Sequence, residues 1–182
     1  MTDTLSDKEI IKMFREDNPD YAFHFLVQKY QERLYFVIRK ILIVHEDTDD
    51  ILQESFIKIY QNLGEFRGDS KLFSWMYRIA VNEALNYLRK QKRKHVFSPV
   101  SYEDKLSQNL SADAYFDGDE AEARLQKAIL SLPHKQRLVF NMKYYDNLKY
   151  DDMSEILKTS KGALKASYHH AVNKIEKYLN DD

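Results

Sequence analysis

The sequence predicts an all-α protein made of two small helical domains joined by a flexible linker. Its 182 residues include only four Gly and three Pro, which is few for a β-rich fold with many tight turns. Apolar residues recur at spacings of three and four through most of the chain, as they do in amphipathic helices. The pattern lapses once, so we divide the chain into residues 1–95, a linker at 96–118, and residues 119–182.

The first two helices are predicted on either side of Asn18-Pro19. Residues 7–16 have the pattern of a short helix. Proline is accepted in the first turn of a helix, so Pro19 marks the start of a second helix that ends near Val44. The inward side of the first helix carries Ile10, Ile11 and Phe14.

Two further helices and a loop complete a four-helix N-terminal domain. Asp47 or Thr48 is suited to cap the third helix, because a short polar side chain can accept a hydrogen bond from the first turn. That helix runs to about Leu63, the loop at 64–70 breaks the pattern, and the fourth helix runs to about Lys94. The predicted buried stripe of the third helix is Leu52, Phe56, Ile59 and Leu63.

One face of the fourth helix has the chemistry of a nucleic-acid contact. Spacings of three and four residues place its aromatic, amide and cationic side chains on a common stripe. Such groups can stack on bases, bond base edges and hold phosphates. The members of this stripe are Trp75, Arg78, Asn82, Asn86, Arg89 and Arg93.

The linker and the C-terminal domain follow. Residues 96–118 lose helical periodicity and are rich in Ser, Asp and Asn, a composition that favours a flexible linker. Helical patterning resumes near Asp119, and helices are predicted at 134–145 and 150–157. Ser160 suits the cap of a last helix that ends near Leu179. Two short helices joined by a three-residue turn indicate a helix-turn-helix unit.

Composition restricts the class of protein. The chain has no Cys, which excludes a disulfide framework, a Cys-based zinc site and a thiol nucleophile. No apolar run approaches the roughly 20 residues that span a bilayer, and the polar N-terminus does not resemble a secretory signal. We therefore expect a soluble cytoplasmic protein with no membrane insertion. The net charge is only −1, but the acidic excess is concentrated in residues 96–120, which leaves room for basic faces elsewhere.

Two blocks of the chain closely resemble bacterial sigma factors of the extracytoplasmic-function (ECF) group. The first is DDILQESFIKIYQNLGEFRGDSKLFSWMYRIAVNEALNYLRKQKR, which is similar to the family's domain for core binding and promoter melting. The second is LPHKQRLVFNMKYYDNLKYDDMSEILKTSKGALKASYHHAVNKIEKYL, which is similar to its promoter-reading domain. With the N-terminal helices, the resemblance covers nearly the whole chain except the linker.

The resemblance implies an alternative sigma factor rather than an enzyme. Such a protein binds core RNA polymerase, reads the −35 element of promoter DNA as duplex and helps to melt the −10 element. It has no catalytic residues and no cofactor of its own, and the family implies an anti-sigma partner. The residues implied to dock on the polymerase share one face of the third helix. They are Asp50, Gln53, Glu54 and Ile57.

The resemblance also implies two sets of DNA contacts. The loop that captures a flipped −10 base matches residues 66–71, and Asn82 on the next helix is the first candidate for a base contact because an amide both donates and accepts. The alternative for Phe66 is a structural role in the core. The full −10 set is Phe66, Arg67, Lys71, Arg78, Asn82, Asn86, Arg89 and Lys90. The −35 set is Lys143, Lys161, Lys165, Ser167, His169, His170 and Lys174.

The last helix departs from the common family pattern. Many relatives carry Arg where this chain has Ser167 and His170, and Thr-Val where it has Ala163-Leu164. Arg is the best bidentate reader of guanine, so the −35 preference is expected to differ while the docking mode is kept. A metal site at His169 and His170 is not expected, because neighbouring side chains on a helix point about 100° apart.

Three other interpretations remain at the level of the sequence. A helix-turn-helix repressor or activator would use residues 119–182 alone, which leaves the Asn82 face unexplained. An interaction protein descended from a sigma factor would fit the near-neutral charge and the missing arginines. An enzyme is not supported, because no Ser/His/Asp motif, phosphate loop or metal-ligand pattern occurs.

Overall fold

The computed structural model describes residues 5–16, 18–94 and 120–180, without the side chains of Lys92, Lys94 and Glu120. Within those ranges the chain forms eight helices and no strand, which confirms the predicted all-α class. The helices are α1 (Asp7–Glu16), α2 (Pro19–Leu42), α3 (His45–Leu63), α4 (Leu72–Lys94), α5 (Glu120–Leu130), α6 (His134–Tyr144), α7 (Tyr150–Leu157) and α8 (Lys161–Asn180). The predicted linker at 96–118 lies outside the described residues. The helices belong to two compact units, one within residues 1–97 and one within residues 98–182.

The first unit is built around α2, which packs against α1, α3 and α4. The inward side chains are large and aliphatic, so their burial is the main source of stability for this unit. Fully buried members include Leu26, Leu34, Ile38, Leu42, Ile59, Leu63 and Met76.

A polar cluster fixes the start of α1 on α2. The Asp7 carboxylate accepts hydrogen bonds from Lys29 Nζ at 2.8 Å and from the Tyr30 hydroxyl at 2.6 Å. Desolvation raises the pKa of Asp7, but these hydrogen bonds and the charge of Lys29 outweigh it and lower the pKa below its ordinary value. Desolvation and the bond to Asp7 raise the pKa of Tyr30. The cluster is therefore most stable with a charged Asp7 and a neutral Tyr30.

The observed start of α2 agrees with the prediction from the sequence, whereas the observed start of α3 differs from it. Asn18 caps α2 by accepting a hydrogen bond from the Tyr21 amide at 3.1 Å. The prediction that Asp47 or Thr48 caps α3 is wrong, since α3 begins at His45 and its N-cap, Val44, makes no side-chain cap bond. The Thr48 hydroxyl instead donates to the carbonyl of Val44 at 2.6 Å, four residues back. A threonine inside a helix can satisfy its hydroxyl in this way.

The buried face of α3 also differs in part from the predicted stripe. Phe56, Ile59 and Leu63 are buried as expected, whereas Leu52 is only half-buried. Ser55 is fully buried because its hydroxyl donates to the carbonyl of Ile51 at 2.6 Å. This bond lets a polar residue occupy a core position that an apolar pattern cannot predict.

In the second unit α8 packs against α5, α6 and α7. On α8, Leu164, Ala171 and Ile175 are buried and Tyr168 is half-buried, at the three- and four-residue spacing of an amphipathic helix. The phenyl ring of Phe140 on α6 stacks on Tyr168 with a centroid separation of 5.9 Å. The core cluster that these helices share is Ala128, Ile129, Leu132, Phe140, Ala171 and Ile175.

The turn between α7 and α8 is well defined. Lys158 adopts a left-handed conformation with φ 49° and closes α7 by donating its N–H to the Ser154 carbonyl. The Ser160 hydroxyl then accepts from the Ala163 amide at 3.3 Å, so the predicted cap of the last helix is confirmed. Across the described ranges, no helix has the length and apolarity needed to cross a membrane.

Candidate nucleic-acid interface

The polar stripe of α4 lies on the surface of the first unit. Asn82, Asn86, Arg89 and Arg93 are exposed, while the opposite side of α4 is in the core. The Arg89 guanidinium donates to the Asn86 side-chain oxygen at 2.7 Å, one turn back on the same face. Trp75 and Arg78 are half-buried, and Lys90 is exposed beside the stripe. Four members of the predicted stripe are therefore exposed at helical spacing, and together they combine amides with cations.

The loop from residue 64 to 71 precedes this stripe. Arg67, Gly68 and Lys71 are exposed. Gly68 has φ 83°, in the left-handed region that favours glycine, and a Cβ there would meet no atom within 4 Å. The backbone conformation, rather than space, is what selects glycine at this position.

The predicted role of Phe66 as a −10 DNA contact requires a correction. Its side chain is only 7% exposed, and its ring packs on Trp75 with a centroid separation of 5.3 Å. Phe66 therefore has a structural role in the core, which was its alternative interpretation, and its ring is not presented for stacking on a base. Burial of so large an apolar ring outweighs any benefit of exposing it.

The face of α3 implied to dock on the polymerase is also on the surface. Asp50, Gln53, Glu54 and Ile57 are all exposed, with 58% of the Ile57 surface accessible. An isoleucine so exposed, with an amide and a carboxylate one turn earlier and a second carboxylate two turns earlier, suits a partner surface that is both basic and apolar.

A salt bridge joins α3 to α4 between these two faces. Lys58 Nζ lies 2.6 Å from Glu83 Oε2, and the Glu83 side chain is only 12% exposed. Lys58 adjoins Ile57 in sequence and Glu83 adjoins Asn82. The two faces thus belong to helices that are joined by a partly buried ion pair in addition to their packing contact.

In the second unit the outer face of α8 carries Lys161, Lys165 and His169 at four-residue spacing, and all three are exposed. His170 and Lys174 are exposed beside that face. Ser167 is half-buried, so it is less accessible than these neighbours.

Several of these side chains already have partners. Lys161 forms an ion pair with Asp151 of α7, and His169 Nε2 lies 3.2 Å from the Asn173 side-chain nitrogen. Lys143 Nζ donates to the Leu148 carbonyl at 3.1 Å and lies 5.3 Å from the centre of the Tyr150 ring. The ammonium of Lys143 is thus engaged locally, which reduces its availability for a phosphate.

Two contacts near these faces were missed from the sequence. Arg15 of α1 donates to the backbone carbonyl of Phe66 across 51 positions. Lys143 and Lys165 both approach the ring of Tyr150, at 5.3 and 5.7 Å. No short-range pattern signals either contact, because each joins residues on separate elements. Among the described residues, no group of three or more His, Cys, Asp or Glu is arranged to hold a metal ion.

Comparison with known families gives two matches along the chain. Residues 26–94 match the model of sigma-70 region 2, and residues 122–175 match the model of sigma-70 region 4. The first match includes the α3 face, the loop and the α4 stripe. The second includes the turn and most of α8.

Curated relatives match over most of their length. The chain is 32% identical to the RNA polymerase sigma-H factor of Pseudomonas aeruginosa over 166 residues, which is 87% of this chain and 86% of that protein. It is 29% identical to the ECF RNA polymerase sigma-E factor of Escherichia coli strain K12, over 97% of this chain and 95% of the relative.

Solved structures share the fold. The chain aligns with the sigma factor RpoE of Bartonella quintana, in a structure with the anti-sigma factor NepR, with a TM-score of 0.69 and 20% identity over 88% of this chain and 98% of that one. It aligns with CnrH, in a structure with the cytosolic domain of CnrY, with a TM-score of 0.68 and 19% identity over 97% of this chain and 98% of that one.

Proposed function

Because this chain belongs to the ECF group of bacterial RNA polymerase sigma factors, we propose a division of its promoter work among the faces described above. The protein is an alternative sigma factor that directs promoter-specific transcription initiation. The observation that carries the proposal is the exposed stripe of amides and cations on α4, which begins directly after a glycine-containing loop.

The exposed α3 face docks on core RNA polymerase. Asp50 and Glu54 supply negative charge around the apolar Ile57, and Gln53 supplies hydrogen-bonding capacity. Burial of one isolated isoleucine within a charged rim fits the usual anatomy of a protein interface.

The loop and α4 act on the −10 element. Arg67 and Lys71 carry exposed charge at the loop, and Gly68 lets the backbone approach an unstacked base. Asn82 makes the base contact, while other polar side chains of α4 hold the strand through its phosphates. These side chains are Arg78, Asn86, Arg89 and Lys90. Phe66 is left out of this set because it is buried.

The outer face of α8 enters the major groove at the −35 element. Lys165 and Lys174 hold phosphates, and His169 and His170, which point about 100° apart, supply imidazole groups on two sides of the helix. Ser167 and Lys161 make smaller contributions, since one is half-buried and the other is paired with Asp151.

The remaining parts of the proposal concern partners and location. An anti-sigma factor covers the exposed faces, in keeping with the partners present in the RpoE and CnrH structures. The protein works in the cytoplasm, where its polymerase and DNA are found. It is not itself an enzyme, and the catalytic metal of transcription belongs to the polymerase.

Run-off transcription from fragmented source genomic DNA, with purified core polymerase and with or without this protein, tests the proposal. Start sites that appear only with the protein support it, and their aligned upstream sequences reveal both promoter elements. Core binding without new starts would mean that promoter recognition has been lost. Absence of core binding would instead favour a helix-turn-helix regulator that works through the second unit.

Two sets of substitutions separate the proposed faces. Asn82→Ala should weaken promoter opening by about tenfold, as loss of one base contact does, while core affinity is unchanged. Gln53→Ala combined with Glu54→Lys should weaken core affinity by a similar factor and leave the −10 contacts intact. Equal loss of both activities in Asn82→Ala would refute its assignment to DNA.

A further inference from the structure

The C-terminal end of α1 contacts the loop that precedes the α4 stripe. The guanidinium of Arg15, in the last turn of α1, donates to the backbone carbonyl of Phe66. Phe14, the residue before it, is buried and meets Tyr60 of α3 edge-to-face at a centroid separation of 5.3 Å. Tyr60 in turn donates its hydroxyl to Asp20 Oδ1 at 2.7 Å. The end of α1 thus contacts both α3 and the loop.

Phe66 is held from several directions at once. Its ring packs on Trp75, the first member of the α4 stripe. Its amide N–H donates to the Leu63 carbonyl at 3.2 Å, which continues the last turn of α3. Its carbonyl accepts from Arg15. The carbonyl belongs to the peptide that leads into Arg67, so the Arg15 contact acts on the direction in which the exposed part of the loop leaves Phe66.

We infer that Arg15 is a positioning residue for the −10 loop. It contacts no DNA itself but orients the peptide between residues 66 and 67, and so sets the position of the exposed loop backbone that follows. The guanidinium suits this task because it is always charged and its donors are held in a rigid plane. The inference rests on the proposed −10 role of the loop.

The ordinary explanation of Arg15 is different. A cation in the last turn of a helix interacts favourably with the helix dipole, and an exposed arginine often does nothing more. On that explanation, removal of Arg15 would resemble removal of any other cation of α1. Lys12 provides the matched control, because its only described partner is Glu16 on the same helix at 3.7 Å, and both side chains are largely exposed.

The test compares Arg15→Ala and Lys12→Ala in the full chain, bound to core polymerase, at a promoter mapped by the run-off experiment. Open-complex formation is followed by permanganate reactivity, on the native promoter and on one with the captured −10 base replaced. We expect Arg15→Ala to lose about tenfold in opening, because misplacement of a contact by about 1 Å carries a cost of that order or more. Its discrimination between the two promoters should fall, while core affinity stays within about twofold of the wild type. Lys12→Ala should match the wild type in every measurement.

Several results would overturn the inference. Arg15→Ala that opens promoters and discriminates between them as the wild type does would leave Arg15 with no positioning role. If Arg15→Ala reduces the slope of log binding constant against log salt concentration by about one unit, Arg15 makes a direct phosphate contact instead. If Arg15→Ala lowers the unfolding midpoint of the first unit, Arg15→Lys replaces it, since that variant keeps the charge but changes the reach and shape of the donor. The same loss of discrimination, smaller in size, is then expected.

The proposed function has its own distinct failure. A wild-type protein that binds core polymerase and opens promoters, yet is indifferent to the −10 base, would refute the role of the loop. A wild-type protein that discriminates at that base, together with an Arg15→Ala variant that does so equally well, would refute only the role of Arg15.

Discussion

Substitution of Phe66 separates a packing role from a base-stacking role. Phe66 is only 7% exposed, and its ring has Trp75 as an aromatic neighbour. Phe→Ala in a protein core costs about 3–5 kcal/mol, and the lower end applies where a loop can partly close the gap. We therefore expect Phe66→Ala to lower the free energy of unfolding of the first unit by about 3 kcal/mol.

Trp75 makes this measurement selective. It is the only tryptophan of the chain, and it lies in the first unit in contact with Phe66. Urea unfolding followed by tryptophan fluorescence therefore reports on the first unit, without interference from the second. With an m-value of about 1.5 kcal/mol/M, the loss of about 3 kcal/mol lowers the midpoint by about 2 M. Arg67→Ala, one residue later on the exposed part of the loop, should change stability by less than about 0.5 kcal/mol.

Phe66→Leu completes the experiment, because leucine keeps an apolar side chain but cannot stack as an aromatic ring does. We expect a loss of about 1 kcal/mol in stability and promoter opening close to that of the wild type. Two results would refute the packing role. One is an unchanged unfolding midpoint in Phe66→Ala. The other is a Phe66→Leu variant of wild-type stability that fails to open promoters.

Three further predictions use the same fluorescence assay. Gly68→Ala should lower the stability of the first unit by about 1 kcal/mol because of its positive φ, whereas Gly64→Ala, in a right-handed helical conformation, should be neutral or stabilising; equal effects would contradict this. Because folding lowers the pKa of Asp7, its carboxylate stabilises the folded state at pH values above the unfolded pKa, near 3.8. This stabilisation is lost as the pH falls through the folded pKa. Asp7→Asn should therefore lower the free energy of unfolding near pH 6 but match the wild type near pH 2. A difference in the free energy of unfolding that persists at low pH would exclude this linkage. Lys58→Glu should lower the free energy of unfolding by about 1 kcal/mol, and adding Glu83→Lys should restore about half of that loss or more. Strictly additive effects in the double variant would show that the two side chains do not interact.

The sequence predicts the helices of this protein well because most of them carry a regular apolar stripe. The last helix is an example, since Leu164, Ala171 and Ile175 are buried at the expected spacing and Ser160 caps the helix as expected. Such features depend on residues three or four positions apart, which a reader of the sequence can see directly.

The errors occur where a polar side chain finds a partner that periodicity does not reveal. Thr48 looks like a helix cap, but its hydroxyl is satisfied inside α3 by the carbonyl of Val44. Phe66 lies in a loop of polar residues, where an aromatic ring is readily interpreted as a DNA contact. Only the tertiary structure shows that Trp75 and Arg15 enclose it.

The candidate faces themselves follow from helical spacing, so their exposure could be predicted. Helical spacing does not predict whether an individual exposed side chain is already bonded to a neighbour. Lys143 and Lys161 carry the charge that the sequence indicates, yet one donates to a backbone carbonyl and the other pairs with Asp151. A pairing between separate helices depends on packing distances, which have no local signature.

The Lys58–Glu83 salt bridge has a consequence for how this protein can diverge. The bridge adjoins Ile57 on one helix and Asn82 on the next, so a slip of either helix along the other would separate the ion pair. Substitutions on the two faces can change which surface or base is preferred without moving the helices. A substitution that repacks the α3–α4 contact alters the distance between the faces and acts on both together.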